Sequence, residues 1–424
     1  MEKIKAKKLR RVNAETLIVT IDMGKTTPVG YCRCPDRTEV KPFEFTNNRA
    51  GFTKLWNCIV QTQAAKGLKE VVVGYESTGC YAEPLLHFLQ NKPVRLIQVN
   101  PLHTKRLKEL QGNSPHKTDQ KDPKVIADII ELGHGLTVVI PKGAAAELRR
   151  LTQARERELK RRTALYNQLQ DLVFLCFPEL LQIMKNVKTK TTQYLLQHYP
   201  TPVLLLAQGV ESLAFTLRRI SKGKLGLERA KALSAAAGHS VGITDGLIGL
   251  NLEIQAILAA ITVSDTYITS LEHEMRHHLE QIPYSPLLLS IKGLGLVTVA
   301  GLIGEVGDFT KFHSQKEVLK LAGLDLFEIS SGKHKGQRRI SKRGRSLMRK
   351  LLFFAAMNTV RTGGIMHQQY QQYLQNGMKK IKALVAIARK LLGIMFALVR
   401  TQSEYYENYQ KVPAEAEPQL LLAA

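Results

Sequence analysis

Acidic residues are scarce in this chain. Its 424 residues carry 36 Asp and Glu against 61 Lys and Arg, a formal net charge of +25. Such an excess of cations is the electrostatic footprint of a protein that binds a polyanion, most often nucleic acid. A membrane surface is the rival partner. However, no apolar run approaches the roughly 18 residues that a spanning helix needs. The basic start "MEKIKAKKLRR" leads into a charged, strand-like stretch instead of the apolar core and cleavage site of a signal peptide. These absences predict a soluble, cytoplasmic protein. Cysteine is also sparse: Cys32, Cys34, Cys58, Cys80 and Cys176 are odd in number and show no CxxC spacing. That excludes a disulfide framework and a cysteine zinc site, and predicts reduced thiols. Internal repeats and low-complexity segments are missing too.

The length suggests two or three domains, and a hydrophobic share of 44% is enough for sizeable cores. Strand-like and helix-like stretches alternate over residues 16–100. "TLIVTIDM" (16–23), "EVVVGYES" (70–77) and "VRLIQVNP" (94–101) read as strands, and "PVGYCRC" (28–34) and "KPFEFTN" (41–47) as shorter ones that pair with the first. "AGFTKLWNCIVQTQA" (50–64) and "AEPLLHFLQ" (82–90) read as helices between them, which predicts a mixed α/β sheet. From about residue 144 the pattern becomes helical and charge-laced. Residues 144–177 and 248–281 predict long helices in an antiparallel or intermolecular coiled coil, with a basic helical stretch at 217–238 between them. A third region opens near Pro283. Its "LLLSIKGLGLVTVAGLIGEVGDFTKF" (287–312) resembles a helix-hairpin-helix, whose turn at Gly293 and Gly295 can offer backbone N–H groups to a phosphate. Such helix pairs also occur as plain packing units. The expected division is 12–143, 144–282, 283–405 and a frayed tail, 406–424.

The few acids are placed in a pattern. Asp22 ends the first apolar strand and Glu76 ends the second, and residues just past parallel strand ends face a common crevice. Asp119 and Asp122, three apart, open "KTDQKDPKVIADII" and can share one helical face. Four converging carboxylates would repel one another without a cation, and hard oxygen ligands select Mg²⁺ or Mn²⁺. Two such ions about 4 Å apart serve phosphodiester chemistry. The bland alternative is capping, because Asp122 before Pro123 also has the form of an ordinary helix N-cap with proline at the first position. Asp128, six residues past Asp122, would point away from that face.

"ISSGKHKGQRRISKRGRSLMRK" (329–350) holds nine Lys or Arg and no acid. Lys333, Lys335, Arg338, Arg339, Lys342 and Arg343, interleaved with Gly, suit phosphate contacts whose strength falls with salt. A solvated loop is the alternative. Ser330 and Ser331 open this stretch, and nothing local supplies a base for either; His334 has the reading of a further phosphate contact.

"IDMGKTT", "GYESTGCY", "VNPLHTKRLKE" and "KTDQKDPKVIADII" resemble the N-terminal motifs of the DEDD transposases of bacterial insertion sequences, the insertion-sequence one-ten family of bridge-RNA-guided recombinases. "GLGLVTVAGLIGEVGDFTKF", "LAGLD", "SSGKHKGQRRISKRG" and "RKLLFFAA" resemble the C-terminal domain of the same family. The match covers about 17–132 and 286–360, in the family's order, and leaves the middle without an assigned motif. One departure is Pro123, where the family's KTD-x-x-D-A start has alanine; proline suits a first helical position. The resemblance implies a RuvC-like ribonuclease H fold with Asp22, Glu76, Asp119 and Asp122 as its metal-binding tetrad. It implies that Ser331, which precedes the glycine of the SG motif, is the nucleophile, with Ser330 as the neighbouring alternative. It also implies Mg²⁺ (or Mn²⁺), a covalent serine–DNA link, a structured guide RNA, and a homo-oligomer, dimer or tetramer, with composite sites. The expected function is therefore an RNA-guided DNA transposase-recombinase of an insertion sequence, bacterial, cytoplasmic and nucleoid-associated. The rivals are a RuvC-like metal-dependent nuclease or junction resolvase that uses water, and a non-enzymatic nucleic-acid binder.

Overall fold

A computed structural model describes residues 12–76, 79–111, 122–328, 336 and 338–406. The chain divides into two compact units at Ile140/Pro141. The first unit runs β1 (Thr16–Asp22), β2 (Val29–Arg33), β3 (Glu39–Glu44), α1 (Arg49–Ala65), β4 (Glu70–Glu76), α2 (Glu83–Leu89), β5 (Arg95–Val99), α3 (Pro101–Gln111), α4 (Asp122–Glu131) and β6 (Leu136–Thr137). Among the described residues these strands form one six-stranded sheet, ordered β3-β2-β1-β4-β5-β6. β1, β4 and β5 are parallel, while β2, β3 and β6 run antiparallel to their neighbours.

β1 is buried on both faces, which is why it reads as a continuous apolar run. Its odd positions Leu17, Val19 and Ile21 join Val71, Val73 and Tyr75 of β4 in a core with Phe52, Leu55 and Ile59 of α1 and Leu85 and Leu89 of α2. On the opposite face, Ile18 and Val72 pack with Val125, Ile126, Ile129 and Ile130 of α4. Gly74 lies on that second face. A Cβ there would collide with Ile130 Cδ1, so the glycine lets α4 settle close against β4.

The second unit contains α5 (Ala144–Cys176), α6 (Pro178–Met184), α7 (Lys190–His198), α8 (Pro202–Ala207), α9 (Val210–Ile220), α10 (Leu227–Gly238) and α11 (Leu247–Glu280). It continues with α12 (Ser285–Leu289), α13 (Leu296–Val306), α14 (Gln315–Ala322), β7 (Leu326–Phe327), β8 (Arg339–Ile340), α15 (Ser346–Thr359), α16 (His367–Gln375) and α17 (Lys380–Thr401). α5 and α11, of 33 and 34 residues, form an antiparallel pair within one chain. At about 1.5 Å per residue each is about 50 Å long. Arg155 pairs with Glu272 at 2.7 Å, Ser264 donates to the buried Glu158 at 2.6 Å, and Arg162 pairs with Asp265. These links fix the register of the pair.

The pair has a core at each end. At one end Leu169, Val173 and Phe177 pack with Leu213, Leu217, Leu233 and Ile254. At the other, Leu148, Met275 and Leu279 join the core of the helices from α12 to α17. The small-residue pattern of α13 has its cause here: a Cβ on Gly304 would stand 2.6 Å from the backbone nitrogen of Arg149, so α13 and α5 touch backbone to backbone.

α11 corrects one sequence expectation. Among the described residues it is the one helix long and apolar enough to cross a membrane. Its buried side, Ile254, Ile257, Leu258 and Ile261, is committed to the core it shares with α5. The five cysteines are all free thiols.

Candidate active site

Asp22 and Glu76 are the last residues of β1 and β4. The parallel register pairs Thr20 with Gly74 and Ile21 with Tyr75, so one step further the two acids leave neighbouring strands at the same end. Strand alternation assigns them a face. Asp22 shares parity with Ile18 and Thr20, and Glu76 with Val72 and Gly74; both sets face α4. Thr20 Oγ1 donates to the carbonyl oxygen of Pro123 at 2.6 Å, which places the start of α4 beside the end of β1. Asp22, Glu76 and Asp122 thus belong to one end of one face.

α4 begins at Asp122 itself, with Pro123 in its first turn, where a missing N–H leaves no helical bond unmade. Asp122 is buried, and its Oδ1 lies 2.5 Å from Lys108 Nζ on α3. The ammonium offsets the desolvation of the carboxylate. Asp119 lies outside the described residues. Among those described, no three of His, Cys, Asp or Glu are grouped closely enough to hold a metal ion. The donor chemistry nevertheless fits a hard divalent ion: two carboxylates end adjacent strands, and a third, nearly buried, is held by a cation.

Asp128 has a different employment. It accepts from Arg33 at 2.6 Å, and Arg33 also meets Glu131 at 3.5 Å and Glu39 at 3.6 Å. Burial works against the Arg33 charge, but the bonds to Asp128 and Tyr31 outweigh it and hold the guanidinium above its ordinary range. This cluster fastens α4 to β2 and β3 and is separate from the strand-end acids.

In the second unit, Ser330, Ser331, Lys333 and Lys335 lie outside the described residues. They fall in the sequence between β7 and β8, which pair antiparallel, Leu326 with Ile340 and Phe327 with Arg339. Arg339, Lys342 and Arg343 are exposed. Arg338 is paired with Glu328 at 3.0 Å, a partner just outside the stretch that carries no acid of its own. Three further cations of that stretch serve the fold. Arg345 meets the buried Glu305 at 3.7 Å, Arg349 donates to the carbonyls of Ala322 and Gly344 at 2.9 and 2.8 Å, and Lys350 pairs with Glu156. The basic run is therefore partly a structural element and partly an open cationic surface.

α12 and α13 form the expected pair of helices about a glycine turn. Gly293 has φ +100°, and a Cβ there would meet Thr359 of α15 at 3.0 Å. Gly295, which precedes α13, is exposed with open space around it. Backbone conformation and packing thus account for Gly293, while Gly295 leaves the start of α13 uncovered.

Two contributors were not singled out by sequence reasoning. Lys108 is one of several cations in "HTKRLKEL", and nothing in the pattern tells which of them turns toward an acid. Thr20 is indistinguishable from the apolar strand around it.

The family model of DEDD transposases of the IS110 type matches residues 19–178, and that of the IS116/IS110/IS902 transposase family matches residues 285–371. The uncharacterized 43.6 kDa protein of insertion element IS110 from Streptomyces coelicolor is 24% identical over 404 residues, which is 94% of this chain and 96% of the relative. The uncharacterized 42 kDa protein of insertion element IS900 from Mycobacterium paratuberculosis is 28% identical over 301 residues, 68% of this chain and 73% of the relative. The pilin gene-inverting protein of Moraxella bovis is 32% identical over 143 residues, 31% of this chain and 43% of the relative. With two models of one family matched in order, and one relative aligned over nearly the whole of both chains, the chain belongs to the IS110 family of insertion-sequence transposases.

Proposed function

We propose that this transposase is an RNA-guided recombinase that cuts and rejoins DNA through a serine. The observation that carries the reading is the placement of Asp22, Glu76 and Asp122 at one end of one sheet face. The mixed sheet, three antiparallel strands followed by two parallel ones, supports a RuvC-like assignment for the first unit. Similarity to a protein named for inverting a gene favours rejoining over simple hydrolysis, since an inverted segment must be resealed.

In this reading Asp22, Glu76 and Asp122, with Asp119, would hold Mg²⁺ (or Mn²⁺). When bound, the ion supplies positive charge at the scissile phosphate and lowers the cost of forming an alkoxide. The chain's own residues do the rest. Ser331 Oγ forms a bond to phosphorus while the bond from phosphorus to the departing sugar oxygen breaks, and that oxygen leaves as a hydroxyl. One phosphodiester replaces another, so a second sugar hydroxyl can reverse the step and free Ser331 without ATP. Arg338, Arg339, Lys342 and Arg343, with Lys333 and Lys335, bind the backbone phosphates, and the turn at Gly293 and Gly295 presents the start of α13 to one more. The net charge of +25 suits a protein that neutralises both a structured RNA and DNA, with base pairing supplying the sequence choice. The α5–α11 arm would carry the serine region to the acids of another subunit of a dimer or tetramer.

The test is a covalent-adduct assay. The protein is purified with RNA transcribed from the flanks of its element, mixed with labelled element DNA and Mg²⁺, and denatured. Labelled DNA bound to the wild type and absent from Ser331→Ala is the expected result. Cleavage without any adduct would assign the site to a nuclease that uses water.

A further inference from the structure

Lys108 is held where a cation is needed. Its Nζ lies 2.5 Å from Oδ1 of Asp122, whose side chain is 12% exposed, while the side chain of Lys108 is 36% exposed. The lysine thus reaches from the solvent side to a nearly dry carboxylate. It does so at the end of the sheet where β1 and β4 finish, because α3 leaves the end of β5, and β5 runs parallel to β4. Lys105 and Arg106, one turn or less away on α3, are exposed beside one exposed acid, Glu109, so this lip is net cationic toward solvent.

We infer that Lys108 is the resident counter-cation of the carboxylate site: a positioning residue that holds Asp122 until a divalent ion displaces it, and then turns to a DNA phosphate. The inference rests on the metal reading above. Its physical basis is that one carboxylate oxygen cannot serve an ammonium and a divalent ion at the same place. The two cations repel at that range, and the low exposure of Asp122 leaves little water to screen them. At Oδ1 an ion must displace Lys108, and at Oδ2 it stands one carboxylate away from the ammonium, so either way the lysine weakens ion binding to the free protein. A backbone phosphate offers the released ammonium a new anion, so DNA and the ion help each other to bind. The arrangement keeps the site poorly loaded until DNA is present, which limits stray cleavage. A plain structural staple would hold α4 without any such coupling.

The test is a Mn²⁺ titration of the full chain followed by thermal unfolding, without DNA, for the wild type, Lys108→Met, Lys108→Arg and Asp22→Asn. In chelator, Lys108→Met should unfold below the wild type, since Asp122 loses its partner. Its Mn²⁺ midpoint should fall roughly tenfold, while Lys108→Arg keeps the wild-type midpoint. An unchanged midpoint in Lys108→Met, with a wild-type response that Asp22→Asn removes, would overturn the role of Lys108 and leave the metal site standing. A wild-type response that is missing, or that survives Asp22→Asn, would overturn the metal reading and this inference with it. If Lys108→Met does not fold, the wild type alone decides by electron paramagnetic resonance of Mn²⁺. A short duplex should tighten Mn²⁺ binding several-fold, and equal affinity with and without DNA would overturn the proposal.

Discussion

The hydroxyl of Thr20 and the carbonyl of Pro123, 2.6 Å apart, tie the middle of β1 to the first turn of α4 across 103 residues of chain. The bond is buried, and it sets how far Asp122 stands from Asp22, two residues beyond Thr20. Thr20→Val keeps the shape of the side chain and removes the donor. The expected loss of stability is about 1–2 kcal/mol, read from denaturant unfolding. DNA cleavage should fall further than that loss explains, with DNA affinity unchanged. Full activity at the reduced stability would mean that the acids need no such alignment.

β1 and β4 were legible because each is a short run rich in β-branched residues and bounded by turns, whereas the two-residue β6 is too short to leave a pattern. What was not legible is the side of the sheet each residue takes. In β1 both faces are buried, so alternation leaves no mark in the hydrophobicity, and only the contacts of α4 show which face Asp22 and Thr20 take. The long helices were equally plain from their pattern, but the choice between an intramolecular and an intermolecular pair depends on Arg155–Glu272 and Glu158–Ser264, contacts between residues more than 100 apart. The basic stretch shows the same limit. Nothing local distinguishes Arg345, which meets the buried Glu305, from Arg339, which faces solvent. The glycines of α13 were readable as small, but the backbone of Arg149 that requires one of them was not.

Asp22→Asn and Glu76→Gln test the acids themselves. Each removes one negative charge from a strand end and leaves the cationic surfaces untouched. Changes beside a metal's direct ligands already cost about 10–100-fold in activity or affinity, so loss of a ligand should lower strand cleavage by at least about a hundredfold. Binding to DNA, measured by gel shift at fixed salt, should stay within about twofold, because phosphate contacts and not carboxylates supply it. Cleavage retained by either variant would remove that residue from the site.

Two helical glycines should respond in opposite ways to the same change. Gly304→Ala inserts a methyl group 2.6 Å from the backbone nitrogen of Arg149, where no side chain can turn aside. Separating α13 from α5 should cost about 1–3 kcal/mol. Gly249, in the first turn of α11, has nothing within 4 Å of where its Cβ would lie. Gly249→Ala should raise stability by about 0.4–1 kcal/mol by restricting the unfolded chain. Calorimetry of both variants checks the contrast; equal melting temperatures would mean that the α13–α5 contact is looser than a 2.6 Å approach.

The cations near β8 should not contribute equally to DNA binding. Each lysine or arginine that neutralises a phosphate adds about 0.9 to the slope of log affinity against log salt. Arg339 and Lys342 are exposed, so Arg339→Ala and Lys342→Ala should each flatten the slope by about 1 and weaken binding alike for all sequences. Arg338 is already engaged by Glu328 at 3.0 Å, and DNA must compete with that carboxylate for it. Arg338→Ala should therefore weaken binding less than Arg339→Ala does. Glu328→Gln should strengthen binding, because it frees Arg338 and removes a negative charge from the surface that DNA approaches. Should Arg338→Ala and Arg339→Ala prove equal while Glu328→Gln has no effect, the exposed pair opens without cost on binding. Arg338 would then rank with its neighbours as a full phosphate contact.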